Sequence, residues 1–425
     1  MAWSSVVQAQ GKGISLIRDA EIEATLHAIT NPILDAAGIS QGAVKIFIVR
    51  DKRLNAFVAG GQNLFLNTGL LQRTEHPGQL AGVIAHEVGH IAGGHLSRVG
   101  TAQSRATAEV ILATVLGAAA AVAGAPALGA AIITGGQTVA QGEFLKFSRS
   151  QEQSADQAAI SYLNRLDLSS EGLAEFFHIL DEQNLLTTSN NPYLRSHPLT
   201  RDRIRFVEGQ VRSQRDGLAY PGDWDGRHER LVVKLEAFLN DPRRTLGKFK
   251  GDSLADRYAR AIAYYRLPDL TRAVAEVDAL IADMPEDPYF HELKGQMLFE
   301  NGRVANAIEP YREAVRLEPN ALFHIGLAKA LVESGDAQAG RQAIEHLETA
   351  VSQEPTNAGA WRLLGIAQGR SGDEAAASLS LAEWALLRGK KDDAKLHARR
   401  AEAQIGPDDP GWYKLQDILR VIDET

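Results

Sequence analysis

The residues of this sequence best suited to chemistry are His86, Glu87 and His90, in the segment HEVGH. Residues four apart on an α-helix share a face and lie about 6 Å apart along the axis, so both imidazoles can reach one metal ion. Glu87 is rotated by about 100° from His86, which places its carboxylate beside the metal rather than on it. There it can take a proton from water as a general base. The pattern indicates a catalytic metal site, for which zinc is the typical ion.

An acidic pair downstream offers the third protein ligand that a catalytic zinc site needs. Glu152 and Asp156 lie four residues apart in the segment SRSQEQSAD. On a helix they share a face, so Glu152 can bind the metal while Asp156 accepts a hydrogen bond from the far nitrogen of a ligating histidine. Taken alone, such a pair is usually a solvated helix face, and its position after HEVGH gives it this interpretation. Because the chain has no cysteine, any metal must be held by His, Asp or Glu.

The residues after His90 do not fit the pattern of the metzincins, a class of zinc peptidases. Their pattern, HExxHxxGxxH, has a glycine where this chain has Gly93, but it needs a histidine at position 96. That position is Leu96, and His95 comes one residue early, rotated by about 140° from His90 on a helix. We therefore interpret His95 as a helix-end residue, or as one that supports a metal ligand from outside.

The elements expected to position these residues form a small α+β arrangement. Apolar residues at helical spacing predict one or two helices over residues 14–37. Runs rich in β-forming residues between 44 and 66 predict a small antiparallel sheet. We expect the strand at residues 61–67 to form its edge, where an extended peptide can bind through backbone hydrogen bonds. A helix from about Gly78 then carries HEVGH behind the sheet.

An apolar segment follows, with no charged residue over positions 110–142. We expect a buried or lid-forming helical hairpin, because the run is rich in alanine and glycine and has Pro126 near its middle. One alternative is a surface over residues 110–134 that makes peripheral contact with a membrane or binds a partner. Another is a true membrane span, which the length alone would allow.

From about residue 253 the sequence becomes repetitive. Asp287 to Asn320 has the 34-residue length of a tetratricopeptide unit. Ala273, Ala307 and Ala343 recur at steps of 34 and 36 residues. Such repeats stack helix pairs into an α-solenoid whose concave face holds extended peptides or partner proteins. The alternative is a helical bundle without a binding function.

Length and charge limit the remaining possibilities. A chain of 425 residues exceeds what one core usually serves, so we expect more than one domain. We predict a metallopeptidase domain over 1–205, a connecting segment with a helix over 206–252, and a repeat domain over 253–425; the fold class is α+β, mainly α. The formal net charge of -8 argues against nucleic acid as a partner, since that needs a basic surface.

Several segments together resemble a known family, namely Asn55-Ala56-Phe57, Gly69-Leu70-Leu71, HEVGHIAGGH and SRSQEQSAD. The sequence is similar to the zinc metallopeptidases typified by the CAAX prenyl endopeptidase and the mitochondrial inner-membrane overlapping peptidase. It is most similar to their soluble bacterial branch, which carries C-terminal tetratricopeptide repeats. The resemblance implies a zincin-like fold of the gluzincin type, with one zinc ion held by His86, His90 and Glu152. Glu87 is then the general base, and Asp156 supports a ligating histidine.

The segment SHPLTRDR, which includes His197 and Arg203, resembles the H-P-x-x-x-x-R segment of that family. The resemblance implies that His197 can occupy the open zinc position and hold the enzyme latent. It also implies that Arg203 stabilises the oxyanion of the tetrahedral intermediate. From the residues alone, a His-Pro pair in a loop is more often a turn.

The same resemblance implies an endopeptidase that cleaves misfolded or stalled envelope proteins presented by the repeat domain. Its partners would be protein substrates and the outer-membrane barrel assembly machinery. A different class of function is a periplasmic chaperone or assembly scaffold with latent protease activity, and an integral membrane protease is a third. We expect a periplasmic location with a signal peptide upstream of this numbering, because Val7-Gln8-Ala9 resembles the end of one. A frayed cytosolic N-terminus is the alternative.

Overall fold

The computed structural model describes residues 15–95, 149–186, 192–215 and 218–424. Their contacts divide them into two compact units, the first ending at Leu239 and the second beginning at Asn240. The strands of the first unit are β1 Leu16–Ile17, β2 Lys45–Val49, β3 Ala56–Ala59 and β4 Asn63–Asn67. Its helices, numbered among the described residues, are α1 Ala20–Ala36, α2 Thr68–Leu71, α3 Pro77–Ala92, α4 Arg149–Arg165, α5 Glu171–Leu186, α6 Pro192–Ser196, α7 Arg201–Ser213 and α8 Trp224–Leu239.

Helix α1 is one continuous helix, although Pro32 lies inside it. Asp19 caps its N-terminus by accepting a hydrogen bond from the backbone N–H of Ile22 at 2.9 Å. Lys234 of α8 places its Nζ 2.9 Å from Asp19 and 3.0 Å from Glu21, and it is buried among them. These ion pairs join α8 to the start of α1 within the first unit.

The sheet has the strand order β1-β2-β4-β3. We had expected an antiparallel sheet, but the sheet is mixed, because β2 and β4 run parallel. After β2 the chain skips the neighbouring place in the sheet and forms β3 beyond it. It then turns back at Gly60 and Gly61 and fills the skipped place as β4, which pairs antiparallel with β3. The prediction that residues 61–67 form the edge is therefore wrong. Among the described strands, β3 lies at that edge and β4 lies inside the sheet.

Helix α3 passes through the centre of the first unit, and its side chains from Pro77 to Ile91 are buried. Two glycines let neighbouring helices approach closely. A Cβ on Gly82 would lie 2.8 Å from the Cα of Leu173 in α5, and one on Gly89 would lie 2.9 Å from the carbonyl oxygen of Ala155 in α4. Backbone therefore meets backbone where α3 crosses α4, which brings the side chains of the two helices to a common point.

The second unit is a series of paired helices. They are α9 Pro242–Lys248, α10 Leu254–Arg266, α11 Leu270–Asp283, α12 Pro288–Glu300, α13 Val304–Leu317, α14 Ala321–Glu333, α15 Ala337–Gln353, α16 Ala358–Arg370, α17 Glu374–Leu387, α18 Lys391–Glu402 and α19 Trp412–Glu424. The predicted repeat over Asp287 to Asn320 is confirmed as the pair α12–α13. Gly295 of α12 and Gly326 of α14 both face the ring of Tyr311 in α13, which fills the space left by their missing Cβ atoms.

The predictions for the apolar segment and for the domain limits are not tested by the described residues. The apolar segment 110–142 lies outside the described residues, and no described helix is both long and apolar enough to cross a membrane. The domain limits 1–205, 206–252 and 253–425 stay a prediction. Within the expected connecting segment, α8 packs on α1 and belongs to the first unit.

Candidate metal centre and active site

Four elements deliver the predicted site residues to one buried place in the first unit. Helix α3 contributes three of them, α4 two, the residue after α6 one and the first turn of α7 one. The structure brings together all seven, and none is more than 2% exposed: His86, Glu87, His90, Glu152, Asp156, His197 and Arg203. Residues four apart on α3 and on α4 therefore reach the same site, as their helical spacing predicted.

Four side chains direct one donor atom each to a common point. They are His86, His90, Glu152 and His197, and their donor atoms all lie within 4.8 Å of one another. The Nε2 atoms of His86 and His90 are 3.1 Å apart. Nδ1 of His197 lies 3.4 Å from Nε2 of His86 and 3.1 Å from Oε1 of Glu152. Nε2 of His90 lies 3.4 Å from the same glutamate oxygen.

These separations match those required by a tetrahedral metal ion. Ligand atoms about 2.0–2.1 Å from such an ion are about 3.3 Å from one another. Four of the six separations between donor atoms, 3.1 to 3.4 Å, scatter around that value, and all six are within 4.8 Å. Three imidazoles and one carboxylate are also the donor types that zinc prefers, so the residues fit a bound metal.

The far nitrogens of the two helix histidines also have partners. Nδ1 of His86 lies 2.9 Å from Oδ1 of Asp156, the contact that we predicted for this aspartate. Nδ1 of His90 lies 3.0 Å from Nδ1 of His95. Such outer contacts fix the tautomer and the ring orientation of metal-ligating histidines.

Arg203 joins the acidic residues of α4 to the turn after α6. Its Nε and Nη2 donate to the two oxygens of Asp156 at 2.7 and 2.8 Å. Nη1 lies 2.6 Å from Oε2 of Glu152 and donates to the carbonyl oxygen of Pro198 at 2.9 Å. In this arrangement the guanidinium is directed at the two carboxylates, and its role towards a reaction oxyanion stays a prediction.

Glu87 stands beside the four donor atoms without joining them. It is fully buried, and neither of its carboxylate oxygens has a hydrogen-bond partner among the described residues. Nε2 of His197 lies 3.4 Å from its Oε1. Burial raises the pKa of this carboxyl. A buried carboxyl with raised pKa and free lone pairs is suited to accept a proton at near-neutral pH.

The ionisable groups of the cluster strongly influence one another. Burial opposes charge on His86, but interactions with Asp156 and Glu152 outweigh it and raise the pKa of His86 to about 9. Burial and the neighbouring histidines lower the pKa of His90. Burial would raise the pKa of Glu152, yet the surrounding histidines hold it below its ordinary value. A divalent ion held at this point would supply positive charge to the cluster while the histidines that ligate it are neutral.

Tyr193 of α6 is a site residue that the sequence did not reveal. Its ring stacks on that of His197 with 4.6 Å between centroids, and its carbonyl accepts the backbone N–H of His197 at 2.7 Å. The two residues are four apart, so helical spacing is the only signal that could have found this pair. In a helix of five residues that signal is too short to recognise.

Comparisons with known proteins agree with this geometry. The model of peptidase family M48 matches residues 20–211, and a tetratricopeptide repeat model matches residues 258–322. The beta-barrel assembly-enhancing protease of Yersinia pestis is 25% identical over 419 residues, which cover 96% of this chain and 85% of that protein. The protein of the same name from Escherichia coli (strain K12) is 22% identical over 431 residues, with the same shares covered.

Among solved structures, the crystal structure of yeast Tom70 aligns with 84% of this chain and 93% of its own, at 12% identity and a TM-score of 0.36. That likeness is too low to bear on function. The family match, in contrast, includes every residue of the metal cluster. The chain is therefore a metalloprotease whose peptidase domain matches family M48 over residues 20–211 and is followed by tetratricopeptide repeats.

Proposed function

We propose that this protein is a zinc-dependent endopeptidase, with one zinc ion per chain, that cleaves misfolded or stalled proteins of the bacterial envelope. One observation carries the proposal: the donor atoms of His86, His90 and Glu152 converge beside the buried carboxylate of Glu87, which makes no hydrogen bond within the part of the chain that the structure describes. This is the set of groups that peptide-bond hydrolysis by a metal site requires.

Each residue then has a distinct task. Zinc, when bound, polarises the substrate carbonyl and acidifies water. His86, His90 and Glu152 hold the ion, and Asp156 keeps His86 in the tautomer that leaves Nε2 free to ligate. Glu87 takes the proton of the attacking water and returns it to the leaving amine, which its raised pKa favours.

His197 supports a latent resting state. Its Nδ1 is the fourth donor of the cluster, at the position that a substrate or water needs. Withdrawal of His197 requires α6 to shift, since Tyr193 stacks on it and accepts its backbone N–H. We therefore propose that the enzyme rests closed and opens when this segment moves.

The substrate is proposed to bind in an extended form along β3. This strand replaces residues 61–67 as the candidate, because it lies at the sheet edge and contacts both α3 and α6. Edge-strand recognition uses backbone hydrogen bonds and gives loose sequence specificity, which suits unfolded chains. The relatives named for barrel assembly suggest outer-membrane proteins as substrates and a periplasmic location. The repeat domain would bind substrates or the barrel assembly machinery, and the segment 110–134 would make any membrane contact.

A second candidate function is that of an assembly scaffold or chaperone with weak proteolysis. The observation that favours it is the occupied fourth position of the cluster, because a site closed by His197 hydrolyses nothing until it opens. The two functions are compatible, and the catalytic glutamate separates them.

The test combines metal analysis with cleavage of an unfolded outer-membrane barrel protein by the full chain. We expect one zinc per chain, lost in His90→Ala, and cleavage that Glu87→Gln abolishes while zinc is retained. Glu171→Gln, which changes an exposed glutamate of α5, serves as the matched control and should cleave normally. A wild-type protein without bound metal, or a Glu87→Gln protein that still cleaves, would reject the peptidase proposal. A Glu87→Gln protein that fully rescues barrel assembly in cells would favour the scaffold.

A further inference from the structure

We propose that His95 is a positioning residue for His90 and that Gly93 and Gly94 exist to put it there; this inference rests on the proposed zinc site. Nδ1 of His95 lies 3.0 Å from Nδ1 of His90, on the side of the ring away from the metal cluster. The rings meet edge to face, with centroids 5.0 Å apart and an interplanar angle of 77°. His95 is buried, so water does not compete for this contact.

The end of α3 is shaped to turn His95 back onto His90. The helix ends at Ala92, and Gly94 has a φ of 61°, the left-handed conformation that glycine adopts at helix ends. The turn brings the backbone N–H of His95 to the carbonyl oxygen of His90 at 3.2 Å. Nε2 of Gln151 in α4 donates to the carbonyl oxygen of His95 at 3.4 Å and holds the turn from the other side.

Gly93 leaves the space that the imidazole of His95 occupies. A Cβ at this position would lie 2.4 Å from Nε2 and 2.8 Å from both Cδ2 and Cε1 of that ring. Any side chain at position 93 must therefore displace His95. This explains why a glycine and a histidine follow the HEVGH segment at spacings that almost fit the metzincin pattern. The histidine here serves the metal from outside instead of ligating it.

The contact has a defined chemical task. For His90 to ligate through Nε2, its Nδ1 must carry the proton, and this N–H then donates to the lone pair on Nδ1 of His95. His86 uses the carboxylate of Asp156 for the same purpose at 2.9 Å. One metal-ligating histidine is thus oriented by a carboxylate and the other by an imidazole. Loss of such an outer partner typically weakens metal binding by about 10 to 100-fold.

The test measures zinc affinity of the full chain by competition with a chelator, for wild type, His95→Phe, His95→Gln and Gly93→Ala. We expect His95→Phe and Gly93→Ala to bind zinc about 10 to 100-fold more weakly. His95→Gln, whose amide oxygen can accept the same hydrogen bond, should recover most of the affinity. The exposed His27→Phe is the control and should bind like wild type. Thermal unfolding of each protein with zinc and with EDTA accompanies the titration.

The outcomes separate this inference from the proposed function. A wild-type chain that binds no zinc rejects the zinc site itself. If wild type binds zinc and both His95→Phe and Gly93→Ala match it, only the role of His95 is overturned. It is also overturned if the melting temperatures with EDTA fall as far as those with zinc, because the residue would then be purely structural. Weaker zinc binding with an unchanged melting temperature in EDTA supports the inference.

Discussion

The guanidinium of Arg203 forms a two-pronged ion pair with the carboxylate of Asp156, at 2.7 and 2.8 Å. Its remaining nitrogen reaches Glu152 and the carbonyl of Pro198, the residue that follows His197. One side chain therefore neutralises the acidic pair of α4 and also anchors the segment that carries His197. Its loss should affect both the stability of the fold and the occupancy of the site.

Replacement of Arg203 by Gln should lower the free energy of unfolding by about 3–5 kcal/mol, because two buried carboxylates lose their counter-charge. Arg203→Lys should recover only part of this loss, since an ammonium cannot form the two-pronged pair. Urea unfolding at pH 7 measures both. Arg205→Gln is the control on the same helix, where the side chain is 70% exposed, and should change stability by less than about 0.5 kcal/mol. Equal effects at both positions would contradict this role of Arg203.

Glu87 should make the metal-free protein less stable at alkaline pH. Its folded-state pKa is raised by burial, so the native state favours the protonated form. The stability present below the unfolded pKa of about 4.5 is lost as the pH rises through the folded pKa. In EDTA at pH 8, Glu87→Gln should therefore be about 1–3 kcal/mol more stable than wild type, with a difference that shrinks towards pH 4.5. A variant less stable than wild type at pH 8 would show that the carboxylate contributes to the fold.

His197→Ala should increase proteolysis, because it removes the fourth donor while His86, His90 and Glu152 can still hold the metal. If the site is open for a tenth of the time or less, the initial rate on an unfolded protein should rise about tenfold or more. The exposed His178→Ala is the control and should cleave at the wild-type rate. An unchanged or lower rate in His197→Ala would refute latency through this residue.

Much of the site follows from helical geometry and could be predicted from the sequence. The pairs His86/His90 and Glu152/Asp156 need only a fixed rise and rotation per residue, and those hold in any helix. The place of β4 could not be predicted, because strand order depends on partners distant in the sequence rather than on the run of residues itself. Tyr193 was missed for a different reason. Its helix has five residues, which are too few for a helical pattern of apolar residues to be recognised.

His228 should make stability depend on pH below neutrality. Burial lowers its pKa to about 4, with a smaller effect in the same direction from His76 and an opposing one from Asp225. Its Nε2 lies 2.8 Å from Oγ1 of Thr74. The unfolded chain therefore binds more protons between about pH 6.5 and 4, and stability falls as the pH falls through that range. His228→Gln should reduce the fall in unfolding free energy between pH 7 and pH 4 by up to about 3 kcal/mol, as measured by urea unfolding. If wild type and His228→Gln lose the same free energy over this range, the lowered pKa of His228 is contradicted.

Two helix glycines of the repeat domain should respond oppositely to alanine. A Cβ at Gly326 would lie 2.8 Å from the ring of Tyr311, so Gly326→Ala should lower the unfolding free energy by about 1–3 kcal/mol. Gly340 of α15 has open space around it, and Gly340→Ala should raise stability by up to about 1 kcal/mol. Thermal unfolding of the full chain compares the two. If Gly326→Ala raised the unfolding free energy as Gly340→Ala does, the space beside the ring of Tyr311 would not be too small for a methyl group.

The four residues that supply the donor atoms, His86, His90, Glu152 and His197, all belong to the first unit, which ends at Leu239. If His197 holds the site closed, as proposed, the peptidase unit carries its own inhibitor, as a zymogen carries its pro-segment, but here the inhibiting residue follows His86, Glu87, His90 and Glu152 in the chain. A newly made chain would have this safeguard before its repeats exist. Control by a partner would then consist of lifting an internal block, and the activity would return to zero when the partner leaves.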